Sequence, residues 1–185
     1  RRGSSGSVGK ILGKMLRINS DGSIPTDNPF YVSAVGDNRS IWALGLRNPF
    51  TFGFHPTSGR MFINDVGQST WEEVNDGIAG SNYGWSLFEG PGAPPPYRNP
   101  VYAYQHVSGN PTGCAIVGGA FYDSASGHYP PEFADDYFFA DLCSGWVWRY
   151  DTVTGTPAQF ITGVSTPVDL KMGPLDRDLH YLARG

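Results

Sequence analysis

The residues with the most chemistry in them lie in one run, 41–85 (IWALGLRNPFTFGFHPTSGRMFINDVGQSTWEEVNDGIAGSNYGW). It opens with Arg47-Asn48-Pro49 at the head of an aromatic segment. The proline fixes its own φ and biases Asn48 toward an extended backbone, so the guanidinium and the amide can be aimed together at one place. A planar guanidinium beside an amide offers paired donors to adjacent oxygens, which suits an oxyanion, a carboxylate or an ortho-quinone. An arginine paired with an acid between two sheets explains the tripeptide equally simply. The run continues through Asp65, Glu72, Glu73 and Asp76, four carboxylates within twelve residues, flanked by Gly67, Gly77, Gly80 and Gly84. Oxygen ligands at that density are what calcium takes. The alternating Asp/Asn loop of an EF-hand is absent, and a solvated acidic turn is the competing explanation.

Other candidates are sparse. Histidines stand at 55, 106, 128 and 180 without HxxxH spacing, which argues against zinc. His55, before a proline in a turn, is expected to be exposed. His106, in the YAYQH segment, is the one histidine worth testing as an acid-base group, against the alternative of a hydrogen-bonded loop residue. The GxSxG elbow, the P-loop and the dinucleotide fingerprint are all missing, which removes the common hydrolases and nucleotide enzymes. Cys114 and Cys143 lie in Gly- and aromatic-rich segments that could be neighbouring strands. A bridge between them would imply an oxidising compartment, and two buried thiols are the alternative.

These groups need a scaffold, and the composition points to strands. Glycine (25) and proline (15) exceed a fifth of 185 residues, aromatics reach 14% and charged residues only 16%, which suits short strands joined by tight turns. A net charge of -4 without a basic stripe excludes a nucleic-acid groove. No apolar run approaches the roughly 20 residues of a membrane-spanning helix. Residues 1–9 are small and polar and should form a frayed end, with one partial domain over 10–185. Both termini read as cuts in a longer protein.

Residues 14–18 alternate and run into an Asp-Gly turn, and 24–40 read as a surface connection. Phe50, Phe52 and Phe54 alternate with smaller residues, predicting a half-buried strand that turns back through Met61 and Ile63. Leu170, Met172, Pro174, Leu179 and Tyr181 repeat the pattern of Phe52, Phe54, Pro56, Met61 and Ile63, each 118 positions later. EFADDYFFADLCSGWVWRYDTVTG predicts a further hairpin. EGPGAPPPYRNPVYAYQH looks too irregular for a strand and is expected to be surface loop. Strand pairs recurring at this spacing predict an all-β propeller of four-stranded antiparallel blades, about four of them present here.

GKMLRINSDGSIPTDNPF, the run from IWALGLRNPF to STWEEVN, GSNYGW, GCAIVGGAFY, DYFFADLCSGWVWRYD and PVDLKMGPLDRDLHYLARG occur in that order. Together they resemble the glucose/sorbosone dehydrogenase family, the soluble pyrroloquinoline-quinone (PQQ)-dependent sugar dehydrogenases, from about Lys10 onward. The resemblance implies a six-bladed propeller, secreted or periplasmic, that oxidises the C1 hydroxyl of an aldose to the lactone. PQQ and calcium are the implied cofactors, with a sugar substrate and an external electron acceptor as partners. On this resemblance Arg47 and Asn48 face the quinone oxygens, with Arg47 catalytic. Gly67 and Gln68 supply backbone carbonyls to a calcium near the quinone, although the family often carries proline at the second position. Glu73 and the Tyr83 carbonyl hold a structural calcium. Two departures stand out. The family's catalytic histidine lies upstream of the GKMLRI motif, so this chain alone is expected to be inactive. Residues 99–148 contain no Lys or Arg to grip the quinone carboxylates, and Arg149 could serve only if its strand faces the channel. Propellers of the Hedgehog-interacting type make a calcium-stabilised, non-enzymatic module for carbohydrate or protein the alternative.

Overall fold

A computed structural model describes residues 9–123 and 129–185. Its strands in chain order are β1 (Lys14–Leu16), β2 (Ile41–Leu44), β3 (Pro49–Phe54), β4 (Met61–Asp65), β5 (Trp71–Asp76), β6 (Tyr102–Gln105), β7 (Ile116–Phe121), β8 (Tyr137–Asp141), β9 (Trp146–Tyr150), β10 (Pro157–Thr162), β11 (Pro167–Met172) and β12 (Leu179–Ala183). Short 3-10 turns at Gly36–Ser40 and Pro131–Phe133 are the helical elements among the described residues. The strands form four antiparallel sheets: β1-β2, β3-β4-β5-β6, β7-β8-β9-β10 and β11-β12. The expected all-β partial propeller is therefore present, with strands of four blades and two of those blades complete.

Each sheet buries a face on the next, as propeller blades must. Met15 and Ala43 of the first sheet pack with Met61 and Ile63 of the second. Phe62, Val74 and Tyr104 of the second pack on Phe121, Tyr137 and Phe139 of the third. Val117, Phe138 and Val147 of the third enclose Leu170 of the fourth. The inner strands β3 and β7 approach so closely that a Cβ on Gly53 would lie 2.8 Å from the Gly119 carbonyl oxygen. That approach explains the glycines in TFGF and VGGA and fixes which face of β3 is covered.

The structure sharpens or corrects the sequence-based expectations at four places. Phe50, Phe52 and Phe54 do alternate along a strand, with Phe52 opposite Ile63 and Phe54 opposite Met61. They occupy its exposed side, because β3 meets β7 through the small-residue side. The proline-rich stretch is not loop throughout, since Tyr102–Gln105 pairs with β5 and closes the second sheet. The backbone donors and acceptors of β5 require that fourth strand, whatever the irregularity of the approach. The acidic run is a hairpin of β4 and β5 rather than a solvated turn: Asp65, Glu72 and Glu73 are buried. PAQFIT was given no strand in the sequence-based expectation, yet it forms β10 on the outer edge of the third sheet.

Candidate functional site

The site is built on the corner where β4 ends. Asp65 is its last residue, buried, and its carboxylate accepts the backbone N–H of Arg47 at 2.9 Å and of Asn48 at 2.6 Å. Val66 N–H donates to the Asn48 carbonyl at 3.0 Å. The Arg-Asn-Pro turn is thus strapped to the second strand of its own sheet. Arg47 in turn donates from Nη1 to the Val66 carbonyl at 2.8 Å and lies over the Trp85 ring. The guanidinium is held while Asn48 stays exposed beside it.

Behind the turn lies a small cavity of about 10 Å³, lined by Gly45, Asp65, Gly67, Glu73, Tyr83 and Glu89 among others. That is room for one water or one ion. Glu73 is buried, its Oε1 accepting Gly90 N–H at 2.6 Å and its Oε2 accepting Asn75 Nδ2 at 3.0 Å. Burial, and then the charge of Glu73, pushes the Asp65 carboxyl up to about 8 despite its two N–H donors. Burial also raises Glu73, against the pull of Asn75 and Gly90. Two desolvated carboxylates on one ion-sized cavity are costly without a cation, and hard oxygen ligands of this kind fit calcium.

Glu89 completes the wall and orders the neighbouring turn. Its Oε1 accepts the N–H groups of Gln68, Ser69, Thr70 and Trp71 at 2.9 to 3.2 Å. Burial opposes its charge, but those donors together outweigh it and lower its pKa. Glu72, adjacent to Glu73 on β5, points to the opposite face as strand geometry requires. Its Oε1 meets His106 Nε2 at 2.6 Å and its Oε2 accepts Ile116 N–H at 2.9 Å, while burial raises its pKa.

The structure thus brings Arg47, Gly67, Glu73 and Tyr83 around one cavity, with Asn48 on the turn above it. Gln68 does not line that cavity; it sits exposed in the turn organised by Glu89. Tyr83 sends its hydroxyl to the Asp76 carbonyl. The sequence offered Asp65 as one of four carboxylates suited to calcium without singling it out, and it missed Glu89 entirely. Asp65 was findable as the polar end of the MFIND strand, whereas nothing local marks Glu89 as the cap of a turn about twenty residues earlier.

His55 is buried rather than exposed, its Nε2 at 2.9 Å from Asp135 and its Nδ1 accepting Thr57 and Ser58 N–H. His106 is the hydrogen-bonded partner of Glu72, and His128 lies outside the described residues. Arg149, on β9, the third strand of its sheet, is tied to Asp136 and lies over the ring of Phe133. Cys114 and Cys143 are joined in a disulfide with their Cα atoms 5.8 Å apart. Among the described residues, one group of three His, Cys, Asp or Glu side chains could gather on a metal, Cys114, Asp141 and Cys143, and the disulfide consumes its thiols.

Antiparallel sheets of two and four strands, each packed face to face on the next, define a partial β-propeller. The glucose/sorbosone dehydrogenase family profile matches residues 2–163, and the chain belongs to that family. It is 32% identical over 189 residues to the HIPL1 protein of Arabidopsis thaliana, covering 84% of this chain and 27% of that protein. It is 42% identical over 98 residues to quinoprotein glucose dehydrogenase B of Acinetobacter calcoaceticus, covering 52% of this chain and 18% of that protein. Its fold overlays the crystal structure of the soluble aldose sugar dehydrogenase of Escherichia coli with a TM-score of 0.78 at 26% identity, covering 98% of this chain and 54% of that one. The chain therefore spans about half of that solved structure and about a quarter or less of these curated relatives.

Proposed function

We propose that the chain belongs to a quinoprotein that oxidises an aldose at its C1 hydroxyl to the lactone, with PQQ as immediate oxidant, calcium beside it and an external electron acceptor. The observation that carries this reading is the Arg47-Asn48 turn strapped by Asp65 over an ion-sized cavity walled by three carboxylates. PQQ, when bound, supplies the two-electron acceptor. Arg47 acts as an electrostatic anchor: Val66 and Trp85 hold it, so its charge need not reorganise as negative charge develops on an oxygen in front of it. Asn48 adds a second donor. Gly67 and Gln68 offer backbone carbonyls to a calcium near the quinone, and Glu73 with the Tyr83 carbonyl holds a structural calcium in the cavity that Asp65 and Glu89 also line.

On the family resemblance the base that takes the C1 hydroxyl proton lies upstream of the GKMLRI motif; among the described histidines, His55 and His106 are committed to Asp135 and Glu72 and His180 pairs with Asp176 at the surface. The 185-residue chain alone is then inactive, with 10–185 as its propeller part. Export to the periplasm or the exterior agrees with the disulfide. No helix of the described residues is long and apolar enough to cross a membrane.

The test adds calcium and PQQ to the full-length protein and follows dye reduction with glucose and other aldoses, with the absorption spectrum recorded after dialysis. Turnover with a retained quinone spectrum is expected; neither appearing would overturn the assignment. One observation favours a second reading. Residues 99–148 hold no Lys or Arg, and Arg149 is spent on Asp136. A calcium-stabilised propeller that binds carbohydrate or protein without redox chemistry would show a calcium-dependent melting temperature and no quinone uptake.

A further inference from the structure

The long connection from β5 to β6, residues 77–101, carries a second cleft outside the carboxylate-lined cavity. It first runs beside β2: Gly80 N–H donates to the Trp42 carbonyl at 2.8 Å, Leu44 N–H to the Ser81 carbonyl at 2.9 Å, and Tyr83 N–H to the Leu44 carbonyl at 3.0 Å. It then folds back on itself, with Arg98 N–H on the Asn82 carbonyl at 2.8 Å. Asn99 fixes the returning arm, its Oδ1 accepting Gly92 and Ala93 N–H at 2.7 and 2.8 Å and its Nδ2 donating to the Ala93 carbonyl at 3.0 Å. Between the two arms lies an open cleft of about 640 Å³. Both of its walls belong to this one connection, in the interior of the sequence, and neither is a sheet edge.

The lining is polar and carries one charge, that of Arg98, beside Ser81, Asn82, Tyr97 and Asn99; no Asp or Glu among the described residues lines it. Arg98 Nε donates to Ser81 Oγ at 3.0 Å, which holds the guanidinium and leaves both Nη groups to other partners. Asp76, the acid just before the connection, is paired with Arg60 at 3.1 Å. Among the described residues no acceptor takes the Arg98 Nη groups, the Asn82 Nδ2 or the Tyr97 hydroxyl. The Tyr97 ring is itself seated on Phe88, with centroids 5.2 Å apart. In a chain with 17 acidic and 13 basic side chains, an arginine held in a cleft without a carboxylate partner is a donor kept for something else.

We propose that this cleft binds an acidic sugar, a hexuronate, with its carboxylate on Arg98. Two parallel N–H groups of a guanidinium match the two oxygens of a planar carboxylate. One guanidinium also balances one negative charge, whereas a sugar phosphate carries about 1.5 to 2 at neutral pH. Ser81, Asn82 and the Tyr97 hydroxyl stand beside the arginine as partners for ring hydroxyls, and a lining this polar does not suit the tail of a fatty acid. The cleft falls within the roughly 300–1,000 Å³ of small-molecule sites. Pinning both arms beforehand lowers the ordering cost of binding. The inference stands independently of the dehydrogenase reading.

Ligand-observed NMR titration of the full-length protein with glucuronate, glucose and glucose 6-phosphate tests it. Chelator is present so that calcium cannot hold the carboxylate, and quinone is left out. Glucuronate should bind, with glucose at least about tenfold weaker for want of the charge-assisted pair, and glucose 6-phosphate no tighter than glucuronate. Arg98→Ala should weaken glucuronate by at least about tenfold on the same ground. Arg98→Lys, which keeps the charge and loses the fork, should recover only part of that affinity. Tyr97→Phe should cost a few-fold. Arg98 is exposed and Tyr97 half-buried, so all three variants should keep the melting temperature of the unaltered protein. Failure of the unaltered protein to bind glucuronate overturns the proposal, as does equal affinity for glucose or tighter binding of the phosphate. Full glucuronate affinity in Arg98→Ala overturns it as well.

Discussion

Two aspartates end the second strands of the two complete sheets, Asp65 on β4 and Asp141 on β8, and both strap down the segment that enters their own sheet. Asp65 takes the N–H groups of Arg47 and Asn48. Asp141 takes those of Cys114 and Ala115, at 2.9 and 3.0 Å. From there they diverge. Asp141 also accepts Cys143 and Ser144 N–H and the Tyr104 hydroxyl, and the disulfide closes over it. Asp65 faces another buried carboxylate, Glu73, across an ion-sized cavity. One propeller corner is saturated with donors and serves as a fastener. The other keeps acceptor capacity and negative charge, which is where a cation can enter.

The widest separation between the corners should appear in stability. Asp141→Ala leaves four backbone N–H groups and a tyrosine hydroxyl without their acceptor, at about 1–3 kcal/mol for each group that stays buried and unpaired. A loss on the order of 4 kcal/mol or more is expected in urea denaturation. Asp65→Asn keeps one of the two acceptor oxygens and turns an amide NH2 toward the N–H of Arg47 or Asn48, so in chelator a loss of about 1–3 kcal/mol is expected, smaller than that of Asp141→Ala. Equal losses would erase the distinction. Reduction of Cys114–Cys143 comes next, since closing a loop with a separation of 29 residues contributes roughly 3–4 kcal/mol in the chain-entropy account. Mass spectrometry of the non-reduced protein should recover the linked peptides, and alkylatable thiols would remove the fastener from that corner.

Much of this contrast was legible in the sequence, though not its sense. The strands around Phe52, Met61, Phe138 and Trp148 announce themselves by period-two alternation, and the 118-residue repeat shows that sheets recur. Alternation gives two faces without saying which one a neighbour covers, so the exposure of Phe50, Phe52 and Phe54 depended on the close approach of Gly53 to Gly119. Buried carboxylates were harder. In WEEVND nothing distinguishes Glu72, which meets His106 across the sheet, from Glu73, which lines the ion-sized cavity. Glu89 owes its role to four amides brought to it by the fold. Tyr102–Gln105 became a strand because β5 needed a partner, a tertiary demand that local composition does not carry.

Calcium should act on the Asp65 corner alone. At a free concentration a hundredfold above Kd, a ligand of the folded state adds about 2.7 kcal/mol, which raises the melting temperature of a chain this size by several degrees. Glu73→Gln should abolish most of that rise while melting like the unaltered protein in chelator. If the substitution lowers both curves equally, Glu73 holds a turn and not an ion.

The effect that isolates Asp65 is a slope against pH. In chelator, burial and Glu73 raise its carboxyl to about 8, against the 3.8 expected of a free side chain. Between those values the folded chain holds a proton that the unfolded chain has released, so stability from this group is greatest below pH 4, falls as pH rises, and levels off above about 8. Calcium competes for the same carboxylate, so the loaded protein should lose the decline. Asp65→Asn should lose it in chelator too, and give urea midpoints that vary less over that window than those of the unaltered chain. A decline that survives Asp65→Asn would assign the proton to another group and leave the two corners electrostatically alike.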